Sequence, residues 1–315
     1  METLTPIAAL PAHIAGSFQN LTSCHQSKNG DYFIFDRRGH SVYVAPAGLD
    51  TARKLIEIGS EAGRVLDPTS FDLAPDGTFM VADAPGGNPR VQIFLASGST
   101  LRGFRLPGRS VPRITLSNFV LNGVAAAEYT GTSIFISQPE NGALVTEFAI
   151  DGAPRRSFGE PRRTGHEADP SVHLAMNSGA VAAIPGGGFY FVFLAGVPQF
   201  RKYDADGRLL FDRHVEGPDL DRFVQALPTT WKRQKTEDGE IPVVLPSVLT
   251  AAVDHRDNLW ISTAAGVTYV YDASGEKRRT VRFRAAGMTS PTAMSFTPQG
   301  RLLVAPGCFA FDPAP

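Results

Sequence analysis

Several things are scarce in this chain of 315 residues, and each scarcity narrows what it does. Charge of one sign is the first: 30 Lys and Arg stand against 31 Asp and Glu, for a net charge of -1. Nucleic acid as the main partner needs a surplus of basic side chains over a whole face, so that class is set aside. Long apolar runs are missing too. No segment approaches 18 continuous apolar residues, so no membrane-spanning helix is expected. The opening Met1 to Gly16 has no positive n-region and is broken by Pro6 and Pro11, unlike a signal peptide. The chain is therefore expected to be cytoplasmic, or periplasmic or secreted if a signal has been removed. Cysteine occurs only as Cys24 and Cys308, near the two ends, where a bridge across them is allowed but two buried free thiols are the commoner outcome.

Chemical motifs are equally thin. There is no G-x-S-x-G elbow for a serine nucleophile and no H-E-x-x-H pair for zinc. Neither cysteine has an activating neighbour except His25, which as the residue next to Cys24 points to the opposite side of a strand. Pro185-Gly186-Gly187-Gly188 looks like a phosphate cradle, but it precedes a strand and lacks the helix N-terminus that binds anions, so it reads as a turn.

What the chain has is a repeat. An apolar pair with Ser or Thr leads in about seven residues to a turn, then to an aliphatic-aromatic strand, and about twenty residues later to a second Gly turn. Pro68-Thr69-Ser70-Phe71-Asp72-Leu73-Ala74-Pro75-Asp76-Gly77 is the clearest copy, followed by the strand Phe79-Met80-Val81. First turns fall at Gly30, Gly77, Gly131, Gly187, Asp257 and Gly300, and second turns at Gly48, Gly98, Gly152, Gly207 and Gly275. Four strands per repeat of this length make a propeller blade. The composition agrees, with 43% hydrophobic residues, 21 Phe, 31 Gly and 24 Pro suiting short buried strands and tight turns.

The fold class predicted is all-β: a six-bladed β-propeller of four-stranded antiparallel blades in one domain covering residues 1–315. Blades are expected at about 19–60, 66–107, 118–160, 172–216, 247–285 and 290–315. The sixth copy is one outer strand short, so a strand within 4–18 is expected to complete it and close the ring, since an open edge invites aggregation. An insertion at 217–246 carries a short helix over Asp219 to Leu227, with an Asp cap and a stop at Pro228.

Val81-Ala82-Asp83, then Asn88, then Arg90-Val91-Gln92-Ile93-Phe94 resembles an NHL repeat, although Pro85-Gly86-Gly87 lengthens its loop. Tyr203-Asp204-Ala205-Asp206-Gly207 and Tyr271-Asp272-Ala273-Ser274-Gly275 are similar to the family's turn after the third strand. Only the second repeat keeps the full pattern. The resemblance implies an NHL-like propeller in which Asp83, Asn88 and Arg90 tie the blade together. Relatives of that fold include metal-dependent lactonases of the gluconolactonase type, a peptide-amidating lyase, strictosidine-synthase-like enzymes and binding domains without chemistry, so activity stays open.

In such propellers the loops between second and third strands share a face with the inter-blade connections, and the Gly turns occupy the other. The first of these is taken as the functional face. It gives the ligand-binding candidates Arg37, Arg38, His40, Gln138, Asn141, His166, Glu167, His173 and Trp231. Of these, His40, His166 and His173 are the candidate ligands of a divalent metal, with Glu167 and Asp169 nearby and His173 read as opening a strand. Solvated surface charge is the competing reading of the Arg37-Arg38 and Arg162-Arg163 pairs. The function expected is a monomeric propeller that binds a small molecule or peptide at the channel mouth. The alternative is a metal-assisted hydrolase or lyase there.

Overall fold

The computed structural model describes the chain apart from residues 107–113, 117–118, 122–123, 125, 237–238 and 314–315. Of 114–116, 119–121 and 236 it describes the backbone. The expected blade limits at 107, 118 and 315 lie outside the described residues.

Strand makes up 44% of the structure and helix 9%, arranged as a six-bladed β-propeller. Blade 2 shows how a repeat becomes a sheet. Pro68–Leu73, Phe79–Asp83, Arg90–Phe94 and Thr100–Arg105 pair in sequence order, each antiparallel to the next. The turn after the first strand closes when the Ala74 N–H donates to the Thr78 carbonyl, with Gly77 at φ 87°. Asp257 takes the same left-handed position in blade 5, at φ 62°, and Asp is one of the few residues other than Gly that does so readily.

Blades 1, 3, 4 and 5 repeat the plan. Their first strands are Leu21–Gln26, Ala127–Tyr129, Gly179–Ala183 and Val248–Val253. Blade 6 has three strands, Ala293–Phe296, Leu302–Ala305 and Phe309–Phe311. Every first strand abuts the first strand of the next blade, and that of blade 6 abuts that of blade 1, so the first strands ring the axis. Second strands are buried on both faces because blades pack face to face. Phe79–Asp83, Phe189–Phe193 and Leu259–Thr263 are buried throughout. This is where the Phe surplus goes: Phe33 meets Phe79 across blades 1 and 2 at 5.6 Å, and Phe135 meets Phe189 across blades 3 and 4 at 4.3 Å.

The two ends of the chain do meet, in a form the sequence reading did not anticipate. The regular strand Glu2–Leu4 runs parallel to Lys277–Phe283 on the outer edge of blade 5. Among the described residues the edge of blade 6 receives a single bridge, where Ala8 and Ala310 exchange hydrogen bonds of 3.4 and 2.8 Å and the Ile7 N–H also donates to the Ala310 carbonyl at 2.8 Å. A salt bridge from Arg279 to Glu2 at 2.8 Å holds the donated strand on blade 5. The ring is also locked covalently. Cys24 and Cys308 form a disulfide with Cα atoms 5.9 Å apart, joining blade 1 to blade 6 across 284 residues, the bridge that the sequence allows without deciding it. Both sit in one buried cluster with Ile34, Leu303 and Ala310, so ring closure itself brings them into bonding range.

Two helical readings also change. The insertion helix is Pro218–Gln225, preceded by Gly217 instead of an Asp cap. Pro218 occupies the first helical position, where its missing N–H costs nothing, and Asp219 and Asp221 fall in the first turn. His173 lies in a helix, Pro170–Asn177, and not at the start of a strand. Asp169 caps that helix by accepting from the Val172 N–H at 3.4 Å, and Pro170 opens it. Within the insertion, Arg233–Thr236 pairs antiparallel with Gly239–Pro242.

Candidate functional site

The axis of the ring holds a cavity of about 640 Å³. It is lined by the last residues of the six first strands and by the turns that follow, including Lys28, Pro75, Pro185, His255 and Pro298. It therefore opens among the Gly turns, on the face opposite to the one expected to be functional.

Its chemistry is set by one position per blade. The backbone amide that closes each turn belongs to Ser27, Ala74, Thr130, Ile184, Asp254 or Thr297. Two residues before these come His25, Asp72, Glu128, Ala182, Ala252 and Ser295, all of which line the cavity. Blades 1 to 3 thus contribute three ionisable side chains, and blades 4 to 6 two alanines and a serine. Around Ala182 and Ala252 the wall continues with Val253, Met294 and Phe296.

Each polar group is held across a blade boundary. The His25 ring stands edge-on to Phe71 of blade 2 at 5.3 Å, with Nδ1 3.6 Å from Asp72 Oδ1, beyond hydrogen-bond range. Asp72 Oδ2 accepts the Tyr129 N–H of blade 3 at 2.7 Å, and Oδ1 accepts the Leu73 N–H at 2.9 Å. Glu128 in turn accepts an N–H from Ala183 of blade 4. The side chains of His25 and Asp72 keep 20% and 14% of their surface, enough to be reached from the cavity.

Burial governs the protonation of all three. It holds His25 down to about 4, so the imidazole is neutral at physiological pH. It pushes Asp72 up to about 7 against the opposing pull of the Tyr129 and Leu73 amides. Burial, and then repulsion from Asp72, hold Glu128 well above the usual carboxylate range. Two carboxyl groups this close in a poorly solvated channel share their charge as a unit.

None of the nine binding candidates lines this cavity. His40 has a left-handed backbone, and its Nδ1 accepts from the Asp67 N–H at 3.3 Å. Arg37 and Arg38 precede it in the same turn, where burial, then the charge of Arg38, lowers the Arg37 pKa. Gln138 is buried, and its Oε1 accepts from the Asn141 side chain at 3.3 Å inside one loop.

His166, Glu167, His173 and Trp231 do come together. Glu167 accepts the Thr164 N–H at 2.8 Å, His173 Nδ1 lies 2.8 Å from Thr164 Oγ1, and the His166 ring is edge-on to Trp231 at 6.5 Å. Asp169 meanwhile pairs with Arg233 at 2.5 Å. The buried cluster of Val172, Met176, Trp231 and Val244 beneath them reads as a packed cap more than as a pocket.

Metal binding needs three or four ligands converging on one point. Among the described residues no three His, Cys, Asp or Glu side chains do so. His40, His166 and His173 therefore do not fit a resident divalent metal, and neither does the His25, Asp72 and Glu128 set.

Asp83 and Arg90 form a two-pronged ion pair, both contacts 2.8 Å. Arg90 also donates to the carbonyls of Ser60 and Arg64, and Asp83 accepts the Leu66 N–H at 3.0 Å. The pair thus fastens blade 2 to the connection entering it. The Asn88 side chain donates to the Gly86 carbonyl at 3.3 Å, and its backbone N–H to the Pro85 carbonyl at 3.2 Å, both inside its own loop.

No protein-family model matches the chain, and no curated protein does. Solved structures match along nearly its whole length. A streptogramin B lyase superposes with TM-score 0.56 at 10% identity, over 91% of this chain and 76% of its own. A gluconolactonase from Xanthomonas campestris gives 0.53 at 14%, over 93% and 86%. The WD40 repeats of RRP9 give 0.51 at 10%, over 96% and 90%. At such identities the likeness is one of fold. It places the chain among β-propellers, a class that spans enzymes and repeat domains, and the NHL resemblance gains nothing further from it. Among the described residues no helix is long and apolar enough to cross a membrane.

Proposed function

We propose that this protein is a small-molecule-binding propeller, NHL-like in its second blade, whose ligand enters the central channel from the Gly-turn face. The observation that carries the reading is the cavity of about 640 Å³ with an ionisable wall on blades 1 to 3 and an apolar wall on blades 4 to 6. Volumes of this size, with apolar lining and a few convergent polar groups, are typical of ligand sites. A recess walled by six first strands suits a compact molecule better than an extended peptide. The disulfide fits an oxidising compartment, periplasmic or extracellular.

The test is to fill the channel. Ala182→Trp places a large ring at the cavity wall, on the blade next to Glu128. Ligands found by melting-temperature shift in a small-molecule library should bind the wild type and lose at least tenfold in affinity to the filled channel. Hits that bind both proteins equally would sink the reading.

A second reading, a hydrolase or lyase, is favoured by one observation. A neutral imidazole lies beside a carboxyl group that titrates near neutrality, the pairing a proton-transfer site needs. Two structural neighbours carry lyase and gluconolactonase names. On this reading His25 takes a proton from the attacking water in a hydrolase, or from the carbon beside the leaving group in a lyase, and Asp72 or Glu128 gives one to the oxygen that leaves as the C–O bond breaks. Turnover of a lactone or ester panel that survives chelation and is lost in His25→Gln would support it, and absence of turnover leaves the binding reading in possession.

A further inference from the structure

We propose that the channel takes an organic cation, an ammonium group on an apolar body, with its charge against Asp72 and Glu128 and its body against the wall of blades 4 to 6. The inference rests on the channel being a ligand pocket and adds the class of ligand.

Asp72 and Glu128 face the cavity from adjacent blades with their acceptor capacity only partly used. A carboxylate has about four lone-pair sites, whereas Asp72 accepts two amide N–H groups and Glu128 one. Neither carboxyl is ion-paired to a Lys or Arg among the described residues, in contrast to Asp83, Glu147, Asp212 and Asp272, each of which has an Arg partner. Ser27 Oγ, in the lining of the same cavity, is buried without a hydrogen-bond partner and would gain one from a polar ligand atom. The ligand is larger than a single ion, since no three ligating side chains converge on a point.

The other charged groups around the cavity do not compete for the cation. Asp254 is committed to the Arg256 and Asn258 amides, the Asn258 side chain and Trp260 Nε1. His25 is neutral. Lys28 and His255 sit in the turns at the mouth, exposed to solvent. The empty channel keeps its carboxyl groups neutral by holding protons, and an ammonium group replaces a proton in that role. Binding therefore releases a proton and tightens as pH rises through the range in which Asp72 titrates, with the ammonium itself charged throughout.

Three probes with one body test this by calorimetry: tryptamine, tryptophol and indole-3-acetate, which carry a positive, a zero and a negative charge. Tryptamine should bind at least tenfold tighter than the other two. Its affinity should rise by about 15-fold between pH 5.5 and 7 and by about twofold more above, following the loss of one proton. At pH 7 its apparent enthalpy should differ between phosphate and Tris by about half the difference between the two buffers' ionisation enthalpies, in the sense of proton release.

Glu128→Gln and Asp72→Asn should each weaken tryptamine by tenfold or more and leave tryptophol unchanged. Both are near-isosteric: Gln keeps an oxygen for the Ala183 amide, whereas Asn keeps one for only one of the two amides that Asp72 holds, so a melting curve for each confirms the fold. Tryptophol or indole-3-acetate binding as tightly as tryptamine, no tryptamine binding at millimolar concentration, or an affinity flat with pH would overturn the proposal. Probes that bind wild type and not Ala182→Trp, with no advantage for the amine, refute the class of ligand and leave the pocket. Probes indifferent to Ala182→Trp refute the pocket.

Discussion

The two halves of the channel wall occupy the same position in the same repeat and have opposite chemistry. On blades 1 to 3 that position is His25, Asp72 and Glu128, and on blades 4 to 6 it is Ala182, Ala252 and Ser295. Fold stability does not demand the polar half, because two alanines serve the same strand geometry in blades 4 and 5. Burying ionisable groups costs free energy that amide contacts only partly offset, and it is these groups whose protonation the channel shifts. The comparison separates what the ring needs, which is a first strand and a turn, from what a site needs. By contrast, Asp83 with Arg90 and Glu147 with Arg156 are saturated by partners and belong to the scaffold.

The largest effect should come from carrying the chemistry of one half into the other. Ala252 is 7% exposed and packs with Trp260, Val270 and Met294. Ala252→Glu puts a carboxyl group there with no partner waiting, and should cost about 3 kcal/mol, or several degrees of melting temperature. Chemical denaturation measures it directly. An unchanged midpoint would mean that the apolar wall is wet and tolerant, and the contrast between the halves would lose its energetic content.

A smaller effect should appear in the dependence on pH. Asp72 holds its proton up to about 7 when folded, whereas the unfolded group loses it near 4. The folded state therefore binds more protons between those values, and this contribution to stability falls as pH rises from about 4 to 7. His25 opposes it: its pKa is lowered to about 4 when folded, so its contribution recovers as pH rises to about 6.5. Above that only the carboxyl groups act, so the wild type should lose about 1 kcal/mol between pH 6.5 and 8. Asp72→Asn should flatten a good part of that slope, read from unfolding free energies across the range. A wild-type curve already flat there would show that the channel solvates Asp72 like any surface carboxylate.

The ring was legible because its signals are local and repeated: a Gly turn, a buried aromatic strand and a second turn recur, and one consistent period outweighs any ambiguous segment. The helix at Pro218–Gln225 was legible for the same reason, though its cap was misplaced. The helix at Pro170–Asn177 was present in the sequence as Asp169-Pro170, a cap followed by a first-turn proline, and was passed over in favour of metal-ligand chemistry. The disulfide was undecidable, since the distance between Cys24 and Cys308 exists only once the ring has closed. The channel groups were hidden differently. Read along the chain, His25 is merely the neighbour of a cysteine and Asp72 one letter of the best repeat, while Glu128 stands in no motif. A signal was available all the same: with the six copies aligned on their turns, the second residue before each turn amide is ionisable in three consecutive blades. Long loops and dense clusters are the conspicuous features along the chain, whereas a propeller gathers its axial residues from positions about fifty apart.

The smallest effect concerns the one polar residue at this repeat position in blades 4 to 6. Ser295 occupies the blade 6 position, yet its Oγ donates to the Cys24 carbonyl of blade 1 at 2.7 Å, so its polarity is spent on joining the last blade to the first. Ser295→Ala should therefore cost about 1 kcal/mol, the usual worth of one hydrogen bond whose acceptor is left behind. Ligand affinity in the channel should stay within about twofold of wild type, a difference below 0.5 kcal/mol. If Ser295→Ala instead weakened binding as much as Asp72→Asn, the hydroxyl would be facing the ligand, and the polar wall would run on from blade 3 around the ring to blade 6.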